Sequence, residues 1–171
     1  MKYIILFLGI ISFSCGNNEK QAQEENPNNN IEVITEKELQ QIIVERNGKT
    51  LFLNVWATWC VPCVEEFPAI VELDENYKDK NVEVIALSVD LPSEIKDKVI
   101  PFLKEQNAGF KVYVAADKSA DEIINMLNPE WSGAVPATFV FDMKGNQQKF
   151  LPGAHSYDQM SAVVDSINSL Y

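Results

Sequence analysis

Two apolar runs, Thr50-Leu-Phe-Leu-Asn-Val-Trp-Ala57 and Asn81-Val-Glu-Val-Ile-Ala-Leu-Ser-Val-Asp90, constrain this chain more than any other feature. Each is too continuously apolar for a strand with one wet face, and each is too short for a membrane span. Such strands belong inside a sheet that is covered on both sides. Helical patterns follow them: Val64, Phe67, Ile70, Val71 and Leu73 recur after the first, to about Tyr77. After the second, residues 93–107 place Ile95, Val99, Phe102 and Leu103 inward, and Pro101 bends or divides that helix. Alternating strand and helix imply parallel pairing.

The remaining elements fit this frame. Residues 31–35 form a short strand, and Thr35-x-x-Glu38 is a capping box for a helix carrying Leu39, Ile42 and Ile43, stopped by Asn47-Gly48. Residues 110–116 form a strand, and Ser119-x-x-Glu122 caps a short helix. The run Ala137–Asp142, the turn at 143–146 with Gly145, and residues 147–151 form an antiparallel hairpin at one edge. Ser156-x-x-Gln159 caps a last helix through Ile167. The fold class is α/β: a central mixed sheet with helices on both faces, spanning 31–171. Function belongs at the carboxyl ends of its parallel strands.

The first buried strand runs directly into Trp59-Cys60-Val61-Pro62-Cys63. At a strand-to-helix turn this spacing puts Cys60 at the helix start and Cys63 one turn inside, so the sulfurs can bond. Unsatisfied N–H groups at the helix start favour the thiolate of Cys60. Pro62 suits the first turn, where its missing N–H costs nothing. Cys60 is therefore the expected exposed nucleophile and Cys63 the buried resolving thiol. Two other chemistries are open to such a pair. A closed zinc site needs four ligands, and only His155 and carboxylates remain to complete one. Copper(I) accepts two thiolates, so a copper(I) carrier is the alternative function. A structural disulfide across so small a loop would stabilise little. On periodicity Glu66 falls on the exposed side of its helix. Trp56 and Trp131 read as core, Trp59 as an exposed aromatic lip, and His155 as surface.

Trp-Ala-Thr-Trp-Cys-Val-Pro-Cys-Val-Glu-Glu-Phe-Pro at 56–68, Gly-Ala-Val-Pro-Ala-Thr-Phe at 133–139, and the order of elements resemble the thioredoxin superfamily, and within it the TlpA/ResA-like membrane-anchored thiol–disulfide oxidoreductases. The resemblance implies a thioredoxin-like fold, with Cys60 attacking a disulfide and Cys63 resolving it. It promotes Glu66 to an acidic residue that assists proton transfer, and makes Pro68 a helix-bending proline. It makes Pro136 a cis-proline facing the disulfide, with the Val135 backbone and Trp59 meeting substrate. No cofactor or metal is implied. The partner is a disulfide-containing protein, reduced by a monomer whose own electron donor the sequence does not name. Relatives often carry Lys or Arg after the second cysteine, where Val64 stands here. A peroxiredoxin usually has Thr three places before its attacking cysteine; here that place is Ala57.

The N-terminus points to the location. Lys2 and a short apolar run at 3–13 read as a secretory signal, and Ser14-Cys15 resembles a bacterial lipoprotein cleavage site, which implies a lipoprotein signal peptide over 1–14; a plain signal peptide cleaved elsewhere is the alternative. Cys15 is then the lipidated first residue of a bacterial cell-envelope protein facing the periplasm, and it accounts for the odd number among 3 cysteines. Residues 16–30, apolar only at Ala22, form a disordered tether. The net charge of −11 excludes nucleic acid as a natural partner.

Charge also sets the expected direction of electron flow. No Lys, Arg or His occurs from Thr50 to Tyr77, and Glu65 and Glu66 stand beside the pair. The helix end, about +0.5 charge, favours a thiolate at ~4 Å by ~2 kcal/mol at an effective dielectric of ~20; a carboxylate at ~7 Å opposes it equally. Cys60 should therefore titrate near an ordinary thiol, and the pair should donate electrons rather than take them.

Overall fold

The computed structural model describes residues 31–45 and 48–170. The signal peptide, Cys15, the tether and Asn47 lie outside them. Six strands form one sheet in the order β1-β4-β3-β2-β5-β6. These are β1 (Glu32–Ile34), β2 (Thr50–Trp56), β3 (Val82–Ser88), β4 (Lys111–Ala115), β5 (Ala137–Phe141) and β6 (Gln147–Pro152). The first four in spatial order pair in parallel; β5 and β6 run antiparallel to their neighbours. β2 is central and buried at every residue.

Helices cover both faces. On one lie α1 (Glu36–Val44) and α4 (Ala120–Leu127), over Leu51, Leu53, Val55, Ile85, Leu87 and Phe139. On the other lie α2 (Val61–Tyr77), α3 (Ile100–Glu105) and α5 (Tyr157–Asn168), over Phe52, Trp56, Val84, Ala86 and Val140. Trp56, Phe67 and Phe102 form an aromatic triangle beneath the start of α2, with centroids 4.6–4.9 Å apart. Tyr77 donates to Asp165 at 2.7 Å, tying α2 to α5, and burial pushes its hydroxyl up to about 12.

Local chemistry accounts for several ends. Thr35 and Glu38 make the reciprocal capping box of α1, and Ser156 and Gln159 that of α5. Ser119 begins α4 without any side-chain cap bond: its backbone is not extended (φ −103°, ψ 3°), so the expected cap is not made. α1 ends at Val44, earlier than Asn47-Gly48 implies. The helix expected over 93–107 is divided into a 3-10 turn (Pro92–Glu94), a π turn (Ile95–Val99) and α3. Pro101 has no N–H for the carbonyl four residues back, and the Ile100 N–H reaches five residues back to Ile95. Gly145 turns the β5–β6 hairpin at φ +83°, where a Cβ would stand 2.8 Å from the Ile43 carbonyl oxygen.

Candidate active site

β2 ends at Trp56, and the chain turns through Ala57–Trp59 into α2, with Cys60 as its N-cap. The turn is held from below. Asp90, buried just beyond β3, accepts the Thr58 N–H at 2.9 Å and the Thr58 hydroxyl at 2.6 Å, and the Ser88 hydroxyl at 2.7 Å. Val89 N–H donates to the Trp56 carbonyl at 2.9 Å, closing the two loops together. Both loops leave the carboxyl ends of parallel strands.

Cys60 and Cys63 are disulfide-bonded, with Cα atoms 5.2 Å apart. The Cys63 N–H points at Cys60 Sγ from 3.3 Å. That is the geometry in which a free helix-end donor stabilises charge on the first sulfur. Cys63 is fully buried, and Cys60 is only 6% exposed, less open than a nucleophile at a helix start suggests. The opposite loop covers it: the Val135–Pro136 peptide is cis, and the Val135 carbonyl oxygen lies 3.5 Å from Cys60 Sγ. Beside this covered sulfur, Trp59 (61%), Val61 and Leu91 are exposed. Trp59 and Val61 flank Cys60 in the chain, and Leu91 follows Asp90, which holds the turn through Thr58. Trp131 is buried, as a core residue should be, and its indole donates to the Ala134 carbonyl at 2.9 Å within the loop that ends in Val135-Pro136.

Glu66 corrects the periodicity reading: it is 5% exposed. The inward face of α2 runs through Cys63, Glu66, Phe67, Ile70, Leu73 and Tyr77, while Val64 and Val71 are only partly buried. The valines pull the inferred face one position round; the spacing of Cys63, Phe67 and Ile70 would have found it. Two elements meet the carboxylate, and a third supports one of them. From β2, Asn54 Nδ2 donates to Oε1 at 2.9 Å; from the loop before α5, the His155 N–H donates to Oε2 at 2.9 Å. From β5, the Thr138 hydroxyl accepts the same Asn54 amide nitrogen at 3.0 Å. Burial raises the Glu66 carboxyl above its ordinary range, against the pull of the His155 N–H, the Asn54 amide and the His155 charge. His155 is thus half-buried and contributes its backbone. Lys111 is engaged with Glu32 at the β1–β4 edge.

Sequence reasoning missed Asn54, Thr138 and Asp90. The signal for Asn54 was present: a lone amide in a strand otherwise apolar enough to be wholly buried must find partners. Thr138 and Asp90 gave no comparable sign, since Thr is common in strands and Asp common after them.

Among the described residues no cluster of three or more His, Cys, Asp and Glu side chains is placed to hold a metal ion. No helix among them is long and apolar enough to cross a membrane.

Comparison with known proteins agrees with this geometry. The AhpC/TSA family matches residues 20–149. A thiol-disulfide oxidoreductase ResA from Bacillus cereus is 35% identical over 136 residues, covering 79% of this chain and 73% of its own. ResA from Bacillus anthracis is 33% identical over the same shares. The crystal structure of a thiol:disulfide interchange protein of the thioredoxin family from Chlorobium tepidum TLS matches with a TM-score of 0.62 and 25% identity, over 72% of this chain and 82% of that one. With its bonded Cys60–Cys63 pair at the head of α2, the chain belongs to the AhpC/TSA family of the thioredoxin superfamily and is a thiol–disulfide oxidoreductase.

Proposed function

We propose that the chain reduces disulfides in proteins of the bacterial cell envelope, tethered through a lipidated Cys15 and facing the periplasm as a monomer. The observation that carries the reading is a Cys60–Cys63 disulfide at a helix start, with a buried carboxylate one turn away on the same face and no basic side chain from Thr50 to Tyr77.

The reaction begins from the dithiol. The Cys60 thiolate attacks one sulfur of the substrate disulfide; a Cys60–substrate bond forms and the other substrate sulfur leaves as a thiolate that takes up a proton. Cys63 then attacks Cys60 Sγ. The Cys60–Cys63 bond forms, the second substrate thiol is released, and two electrons have passed to the substrate. Cys63 is fully buried, so its proton needs an internal acceptor. Glu66, one turn further along the same face, is that acceptor. Its burial supports the role, since a raised carboxyl holds a proton nearer neutral pH. The exposed Trp59, Val61 and Leu91 give an unfolded polypeptide apolar side chains to rest on, and the Val135 backbone gives it an edge to pair with.

Trapping tests the reading. Cys63→Ser should accumulate envelope proteins disulfide-linked to Cys60, and equilibration with glutathione should give a potential nearer about −270 mV than about −120 mV. A potential at the second value would reverse the direction of electron flow. Tight anaerobic binding of copper(I), with no trapped protein, would favour the carrier reading. Cys15→Ser should move the protein out of the membrane fraction.

A further inference from the structure

Asn54 is fully buried, and its two ends are treated differently. Nδ2 serves two acceptors, Glu66 Oε1 at 2.9 Å and Thr138 Oγ1 at 3.0 Å, while Oδ1 is buried with no hydrogen-bond partner among the described residues. Orphaned buried carbonyls are rare in native proteins, and each calls for a reason. We propose that the Asn54 amide turns over when Glu66 gains a proton, so that one positioning residue serves the carboxylate and the carboxylic acid in turn.

The chemistry of the surrounding groups supplies the reason. The two Glu66 oxygens are not equivalent. Oε2 faces the backbone N–H of His155, which can only donate. Oε1 faces an amide, whose other end accepts. A proton arriving at Glu66 therefore belongs on Oε1, and it needs an acceptor there. Turning the amide supplies Oδ1. Thr138 follows, because a hydroxyl donates as readily as it accepts. With Glu66 ionised, Nδ2 donates twice and Oδ1 is idle; with Glu66 neutral, Oδ1 accepts from Glu66 and Thr138 and Nδ2 is idle. The count of hydrogen bonds is two in each state, so proton uptake breaks none on balance. An aspartate at this position could not donate to a carboxylate, and an apolar residue could serve neither state.

Among the described residues, Glu66's own helix brings Cys63 one turn earlier and the exposed Glu65 beside it; β2 brings Asn54, itself bonded to Thr138 of β5, and the loop before α5 brings His155, the basic residue among them. The proton step is a transfer from the Cys63 thiol to the Glu66 carboxylate, giving a thiolate and a carboxylic acid; no electrons move in it. The place of this turnover in the exchange reaction rests on Glu66 being the internal proton acceptor.

The test is a side-chain NMR titration of the full chain in detergent, with labelled Glu carboxyl carbons and Asn amide nitrogens. The Asn54 NH₂ signals should shift with the same midpoint as the Glu66 carboxyl carbon, and should lose their hydrogen-bonded shift below it. Glu66→Gln should abolish the Asn54 transition. Asn54→Asp should raise the Glu66 midpoint by at least ~1 pH unit, tenfold in proton affinity. A Glu66 carboxyl that titrates while Asn54 stays fixed overturns the proposal. So does a Glu66 carboxyl that does not titrate across the range in which the protein stays folded, or an Asn54 transition that survives Glu66→Gln. The two readings fail separately. If Glu66→Gln leaves exchange rates unchanged while Asn54 still turns over in the wild type, Glu66 is not the proton acceptor for Cys63 but the turnover stands.

Discussion

On one side of β2 stand Leu51, Leu53 and Val55; on the other stand Phe52, Asn54 and Trp56. β5 repeats the contrast, with Ala137, Phe139 and Phe141 on the first side and Thr138 and Val140 on the second. The face under α1 and α4 is closed by apolar packing. The face under α2 and α5 interrupts an aromatic cluster with Asn54, Thr138 and Glu66. A buried carboxylate costs stability that a leucine would not. The difference teaches where the chain gives up apolar packing: behind the helix that starts with Cys60, where the proposed chemistry lies. Changes on the second face should then act first on rate, and changes on the first face on stability.

The largest effect should come from Cys60→Ser, which removes the sulfur proposed to attack, at the head of the second face. Disulfide exchange should fall on the order of 10⁴-fold while thermal unfolding moves little. A variant that retains more than about a tenth of the rate in a coupled thiol assay would break the assignment of roles. Glu66→Gln comes next, with exchange slowed ~10²-fold at neutral pH if the carboxylate takes the Cys63 proton. Its effect on stability has a definite sign. The folded carboxyl lies above its unfolded value of 4.5, chiefly because burial disfavours the charge, so the native state holds the proton more tightly. Stability from this group is fully present below pH 4.5 and is lost as pH rises through the folded value. Glu66→Gln should therefore be more stable than wild type in denaturant titrations at about pH 8, with the advantage vanishing by about pH 4. A variant less stable at every pH would show that Glu66 is structural support.

How much of this is legible in the sequence follows the same division. The first face is pure hydrophobic periodicity, and its strands, α1 and the hairpin can be read directly. So can the cysteine turn, because a strand, a two-residue spacer and Pro62 leave little conformational choice. The second face is harder. Periodicity turns Glu66 outward when Val64 and Val71 are counted as core; only the spacing of Cys63, Phe67 and Ile70 points to the true face, and it competes with two equally apolar valines. The hydrogen bonds of Glu66 come from Asn54 and His155, 12 and 89 residues away in sequence, and those meet only once the sheet and α5 have assembled. The π turn before α3 is hidden for a different reason. Pro101 announces a break without stating which register the ladder resumes.

Leu53→Ala probes the first face alone. Its side chain is fully buried under α1 and α4, away from the disulfide, so the truncation should cost ~2–5 kcal/mol of unfolding free energy and leave the rate per folded molecule unchanged. Urea midpoints and exchange rates measured on the same samples would check both halves. A loss of rate in the folded protein would show that the two faces are coupled through β2.

The smallest effects separate packing from end chemistry within the apolar layer. α1 and α4 lie side by side on the same face, and each follows a hydroxyl residue in a capping pattern. Thr35 makes its bonds: Glu38 Oε2 accepts the Thr35 N–H at 2.7 Å, and the Thr35 hydroxyl meets the Glu38 N–H at 3.5 Å. Ser119 makes none with its side chain, because its backbone has already turned toward helix and the hydroxyl is carried away from the first free N–H groups. Thr35→Ala should therefore cost about 1 kcal/mol, and Ser119→Ala should stay within ~0.5 kcal/mol of wild type. The pair of urea midpoints is the measurement. Equal losses would mean that Ser119 caps α4 in solution after all; no loss at either site would mean that the layer owes its stability to Leu39, Ile43, Ile123 and Leu127 and gains nothing from its helix ends.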